Sequence, residues 1–112
     1  MRRVIHLKLK TDGSGDAVAQ TNFYGELLAV DVAIGDMTTP DIDITEEPAG
    51  TSVLSVTGLA ADTRYLPAAE SADTDGSALG SYAHPVILGK LQVAVSGGGA
   101  TKSGTVRLLV DY

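Results

Sequence analysis

Residues 24–36 read YGELLAVDVAIGD, and whether this stretch is a helix or a strand decides the fold. Leu28, Val30, Val32 and Ile34 fall on one parity, and Leu27, Ala29, Asp31 and Ala33 on the other. That period of two is the one a strand imposes. An amphipathic helix over ELLAVDVAI is the competing reading. It is disfavoured because Val30, Val32 and Ile34 are β-branched and lose side-chain freedom against a preceding helical turn, and because Gly25 and Gly35 bracket the run. The spacing therefore predicts a central strand.

The same alternation recurs on either side. Ile5, Leu7 and Leu9 alternate with His6, Lys8 and Lys10, which predicts a half-buried first strand over Val4–Leu9. The segment TDGSGD (11–16) is a turn by composition, since Gly tolerates positive φ and Asp and Ser bond to nearby backbone. A short strand is expected over 17–21. Pro40 and Pro48 bracket DIDIT, with Ile42 and Ile44 facing in and Asp41 and Asp43 facing out. Further strands fit 52–57, with Leu54 and Val56 inward, and 64–66. Residues 67–82, PAAESADTDGSALGSY, carry no sustained apolar period and form the longest candidate loop. The final third reads as a hairpin: Leu91, Val93 and Val95 point inward, SGGGATKSG turns the chain, and Val106, Leu108, Val110 and Tyr112 form the return strand. About eight short antiparallel strands with no helix predict an all-β domain over 1–112, a single β-sandwich with jelly-roll or Greek-key-like connections.

Composition supports this class. The 112 residues suit one domain, and with 44% hydrophobic but 4% aromatic residues the core must come from Val, Leu, Ile and Ala. A net charge of −6 and a pI near 4.6 argue against nucleic acid as the main partner, because phosphate binding depends on Lys and Arg. The charge is uneven along the chain. Arg2, Arg3, Lys8 and Lys10 supply four of the eight basic residues, whereas between Asp36 and Asp75 nine acids face only Arg64. Such segregation is either simple solvation or complementarity to a partner. With no cysteine there is no disulfide and no thiolate metal site, which fits assembly in a reducing cytoplasm. The start, MRRVIHLKLK, lacks the uninterrupted apolar stretch of a signal peptide, and no run is long and apolar enough for a membrane helix.

Chemistry-bearing motifs are sparse. His6 and His84 are the two histidines, distant in sequence and outside any recognisable catalytic pattern. SGGGATKS echoes a phosphate-binding loop, but Thr101 stands where the Gly before Lys102 is needed, and a strand pattern follows where a helix should. Asp73, Asp75 and Gly76 spell the core of a calcium loop without the acidic residue that closes it. Asp41, Asp43, Glu46 and Glu47 read as solvated carboxylates that would discourage edge-to-edge strand pairing. Phe23, Tyr24, Tyr65 and Tyr82 are the candidates for stacking surfaces; without Trp, a sugar platform is weakly supported. No catalytic residue, metal site or cofactor is expected, so the sequence reads as a binding or structural module and not an enzyme.

Three phrases taken together, YGELLAVDVAIGD (24–36), ADTRYLP (61–67) and HPVILGKLQVAVSGGGATKSGTVRLLVDY (84–112), resemble a group of small structural proteins of tailed bacteriophages. In that group a strand ending in Gly-Asp, a Tyr before a Pro, a loop, and a GKL strand joined to a GTV strand by a Gly-rich turn recur in this order. The resemblance covers about two thirds of the chain. It implies a virion β-sandwich, a decoration or cement protein made in the host bacterial cytoplasm and bound to the major capsid protein on the outside of the shell, with no catalytic residues to carry over. The expected state is a homo-oligomer, dimer or trimer, with no nucleic-acid or membrane partner. Partner contacts are expected from Arg2, Arg3, Lys8 and Lys10 on the first strand and from Asp73, Asp75 and Tyr82 on the long loop. Alternatives are a neck, tail or fibre protein of the virion, and a host-surface or carbohydrate-binding module.

Overall fold

The computed structural model describes residues 1–48, 50–67, 69–72 and 78–112, with side chains described outside 69–72 and 78–82. No helix occurs among the described residues. Among the described residues nine strands follow one another: β1 (Arg2–Lys10), β2 (Ala17–Ala33), β3 (Asp41–Glu47), β4 (Thr51–Val56), β5 (Thr63–Tyr65), β6 (Ala69–Ala72), β7 (Ala78–Ala83), β8 (Val86–Ser96) and β9 (Ser103–Asp111). Seven of them form one antiparallel sheet in the order β1-β9-β2-β8-β3-β4, with β5 beside β2. β6 and β7 pair separately, so the expected loop over 67–82 contains a short hairpin instead. Its small, polar residues carry no apolar alternation, the signal by which a strand is read from sequence.

The all-β expectation holds, and the ladder is continuous because β2 serves two sets of neighbours. The short strand expected at 17–21 and the central strand at 27–34 are one element of 17 residues. Its first half, Ala17–Glu26, pairs with β8, and its second half, Glu26–Ala33, with β9. A register shift between Leu27 and Ala29 marks the change of partner. An extra residue in one strand flips the side-chain parity beyond it. This bulge corrects the faces read from sequence. Leu27, not Leu28, joins Val30 and Val32 in the core, and Ile34 only packs at its margin.

Elsewhere most of the expected inward residues are buried, and Ile5 is partly buried against them. Leu7 and Leu9 on β1, Ile42 and Ile44 on β3, Leu91, Val93 and Val95 on β8, and Val106, Leu108 and Val110 on β9 form one cluster with the β2 residues. Leu54 and Val56 on β4 pack against it from the edge. Tyr112, expected on the same face, is exposed.

The largest departure from expectation is at the C-terminus. β8 and β9 do not form a hairpin, because β2 lies between them and pairs with both. The connection SGGGATK crosses the end of the sheet and is fastened to the first turn. Gly98 N–H donates to Gly15 C=O at 3.1 Å, Thr38 N–H donates to Gly98 C=O at 3.1 Å, and Thr11 N–H donates to Lys102 C=O at 2.8 Å. The buried hydroxyl of Thr11 completes the fastening, accepting from Lys102 N–H at 2.7 Å and donating to Gly99 C=O. β3 is likewise internal, between β8 and β4, so its carboxylates do not guard a sheet edge. They serve local bonds: Asp41 accepts from Gly58 N–H, Asp43 from Ser55 Oγ, Glu46 from Leu88 N–H and Glu47 from Thr45 Oγ1.

Candidate functional site

Because side chains alternate along a strand, burying Leu7 and Leu9 obliges Arg2, Val4, His6, Lys8 and Lys10 to face outward. The antiparallel register then decides what they meet. Val4 stands opposite Leu109, and Leu109 opposite Ala29; His6 stands opposite Arg107, Arg107 opposite Asp31, and Asp31 opposite Arg64. The outer face of β1-β9-β2-β5 therefore carries a transverse row His6-Arg107-Asp31-Arg64 beside an apolar row Val4-Leu109-Ala29. Leu28, displaced outward by the bulge, and Leu66 extend the apolar row into a shallow depression of about 410 Å³ bordered by Arg2, Arg64, Arg107 and His84.

Asp31 organises the charged row. Arg64 grips it with two parallel bonds, Nε to Oδ1 at 2.6 Å and Nη2 to Oδ2 at 2.9 Å, and Arg107 Nη2 donates to Oδ2 at 2.8 Å. Such two-point contacts fix orientation as well as distance. The hydrogen bond from Arg64 foremost holds the Asp31 carboxyl below its usual range; burial opposes it as the next largest effect, and the charges of Arg64 and Arg107 add to the lowering. The same contact holds Arg64 above its ordinary value. The arginine side chains are 67% and 52% exposed while Asp31 is 20% exposed, so the row presents cations outward and keeps its carboxylate underneath.

Arg2, Lys8, Lys10, Arg64 and Arg107 all lie on this face, five of the eight Lys and Arg residues in a chain of net charge −6. Among the described residues the face also carries Asp31, Asp111 and, opposite Asp111, the exposed Glu26, with Asp62 at its border accepting from Ile34 N–H. Asp31 is held as described, and Asp111 accepts from the Met1 amino group at 3.0 Å, a contact that lowers its pKa with a smaller contribution from Arg2. Three of the residues expected to bind a partner, Arg2, Lys8 and Lys10, are thus brought together. Arg3 has the opposite parity, and its guanidinium lies over the Tyr112 ring, 5.3 Å from the centroid. Asp73 and Asp75 lie outside the described residues, and Tyr82 sits on β7 opposite Glu70 with its side chain outside the described part.

Sequence reading missed Arg64, Arg107 and the apolar row. The outward parity of Arg107 within TVRLLV was readable, but its neighbours come from strands 76 residues back (Asp31) and 43 residues back (Arg64). A second exposed apolar group lies on the outer face of the other half, where Tyr24 pairs with Leu88 and Glu26 with Val86; Tyr24 and Leu88 are each 72% exposed. His6 and His84 occupy the rim of the basic face, each without a described nucleophile bonded to it, and no described cluster of three His, Asp or Glu could hold a metal ion. No family model and no curated protein matches the chain.

Proposed function

We propose that this chain is a structural binding module of a bacteriophage virion, a decoration protein on the outside of the capsid, and that the outer face of β1-β9-β2-β5 is the surface by which it docks. The observation that carries the docking reading is the collection of Arg2, Lys8, Lys10, Arg64 and Arg107 on one side of an otherwise acidic molecule. A segregated field of this kind steers association with an acidic protein surface and fixes the orientation of contact. The location in a virion rests on the phrases of sequence that resemble phage structural proteins. The exposed Tyr24, Leu88 and Val86 supply an apolar patch for contact between copies in a homo-oligomer, dimer or trimer.

The copy number in purified particles, measured by quantitative mass spectrometry against the major capsid protein, tests this function. Copies in simple ratio to capsid subunits support decoration. About a dozen per particle would move the protein to the neck, tail or fibre, and absence from particles would overturn the virion reading. In that last case the exposed Tyr24 directs the next assay to glycan binding.

A further inference from the structure

We propose, building on the docking reading above, that the basic face recognises an acidic segment of a partner protein that carries a bulky apolar side chain, which seats on the row formed by Val4, Leu109 and Leu66 while its carboxylates engage Arg2, Arg64 and Arg107. Three features of the face select this chemistry over a generic polyanion.

First, the centre of the face is apolar. Leu66 is 72% exposed and Val4 48%, and both border the depression floored by Ala29 and Leu109. Evenly spaced phosphates would leave that strip uncovered, whereas a Leu or Phe side chain covers it. Second, the arginines are preset for carboxylates. Among the described residues Arg64 uses Nε and Nη2, and Arg107 uses Nη2, on Asp31, and both planar groups, which carry further N–H donors, are largely exposed. Asp31 locks both side chains before any partner arrives, which lowers the ordering cost of binding. Third, the flanking cations Lys8 and Lys10 continue along β1 on the same face, so an acidic segment running beside this strand meets positive charge beyond the apolar seat. Arg is one of the residue types in which the energetic centres of protein interfaces are enriched.

Fluorescence anisotropy of the intact protein tests this, using a short labelled peptide of Asp and Glu around a central Leu-Phe pair, the same peptide with Ala-Ala at its centre, and an oligothymidylate of equal charge. The Leu-Phe peptide is expected to bind about tenfold tighter than the Ala-Ala peptide, the effect of burying one apolar side chain. Leu66→Ser should abolish that preference and leave Ala-Ala binding unchanged; Lys8→Ala with Lys10→Ala should weaken both peptides alike. Equal binding of the two peptides, tighter binding of the oligothymidylate, or no peptide binding at low salt would overturn the inference. Pelleting of the protein with particles separates this from the reading it rests on. Saturable pelleting without peptide binding removes the acidic-apolar segment and keeps the docking role; peptide selectivity without pelleting does the reverse.

Discussion

Asp31 on β2 and Arg107 on β9 are cross-strand partners joined by a 2.8 Å bond, and Arg64 on β5 grips the same carboxylate from the other side. Three strands that are not consecutive in sequence are thus tied at one carboxylate. The tie is half in water, so it serves orientation more than stability.

The pH dependence of this cluster follows from its charges. The folded Asp31 pKa lies below the ordinary 3.8, so the stability it contributes is present above that value and is lost as the pH falls through the folded one. Asp31→Asn should melt no more than about 4 °C below the parent at neutral pH. The gap should begin to narrow below about pH 4 and close as the pH falls through the folded Asp31 pKa, where both chains carry a neutral group. Thermal melts across pH 2–7 check this, and a gap that widens in acid would contradict it.

The bulge at Leu28 gives a sharper test of register. Leu27 is fully buried, and Leu27→Ala should cost about 2–5 kcal/mol. Leu28→Ala, on the outer side, should cost less than about 1 kcal/mol. Urea unfolding of the two variants decides between this arrangement and the unbroken alternation of residues 27–34, which would reverse the order.

The link between β2 and β9 at Gly35 depends on the absence of a side chain. Gly35 has φ of +59°, and a Cβ there would collide with the Ser103 carbonyl oxygen, which accepts from Asp36 N–H at 3.2 Å. Gly35→Ala should destabilise by about 2 kcal/mol or more, combining left-handed strain with a backbone clash. Gly13→Ala, with open space around it, should leave the melting temperature unchanged. Differential scanning calorimetry of the pair checks both outcomes.

Thr11 is the buried polar side chain that fastens the glycine-rich crossover. Thr11→Val keeps the shape but leaves Lys102 N–H and Gly99 C=O without their partner, at a cost of about 1–3 kcal/mol. Amide exchange should show the loss first at Lys102 and along residues 97–102, and unchanged protection there would contradict the fastening.

How far the sequence carried the fold is clear from particular elements. On β1, β3, β8 and β9 the buried residues are those that alternation placed inward, because period two is a local property of an extended chain and a core on one side is enough to enforce it. On β2 the reading failed at one residue. The bulge exists to let one strand leave β8 for β9, and nothing in ELLAV signals a change of neighbour.

The hairpin expected from SGGGATKSG failed for the same reason. A glycine-rich segment permits a tight turn and a crossover alike, and β2, chosen by packing over the whole chain, took the place between β8 and β9. The candidate site shows the division most plainly. By itself the sequence determined that His6, Lys8 and Lys10 share one face of the first strand, since covalent geometry alone fixes their parity. That Arg64 and Arg107 join them around Asp31, beside Val4, Leu109 and Leu66, was decided only by strand order and register in the folded sheet, because residues far apart in the chain become neighbours through the burial of a common core and not through any pattern that local spacing can encode.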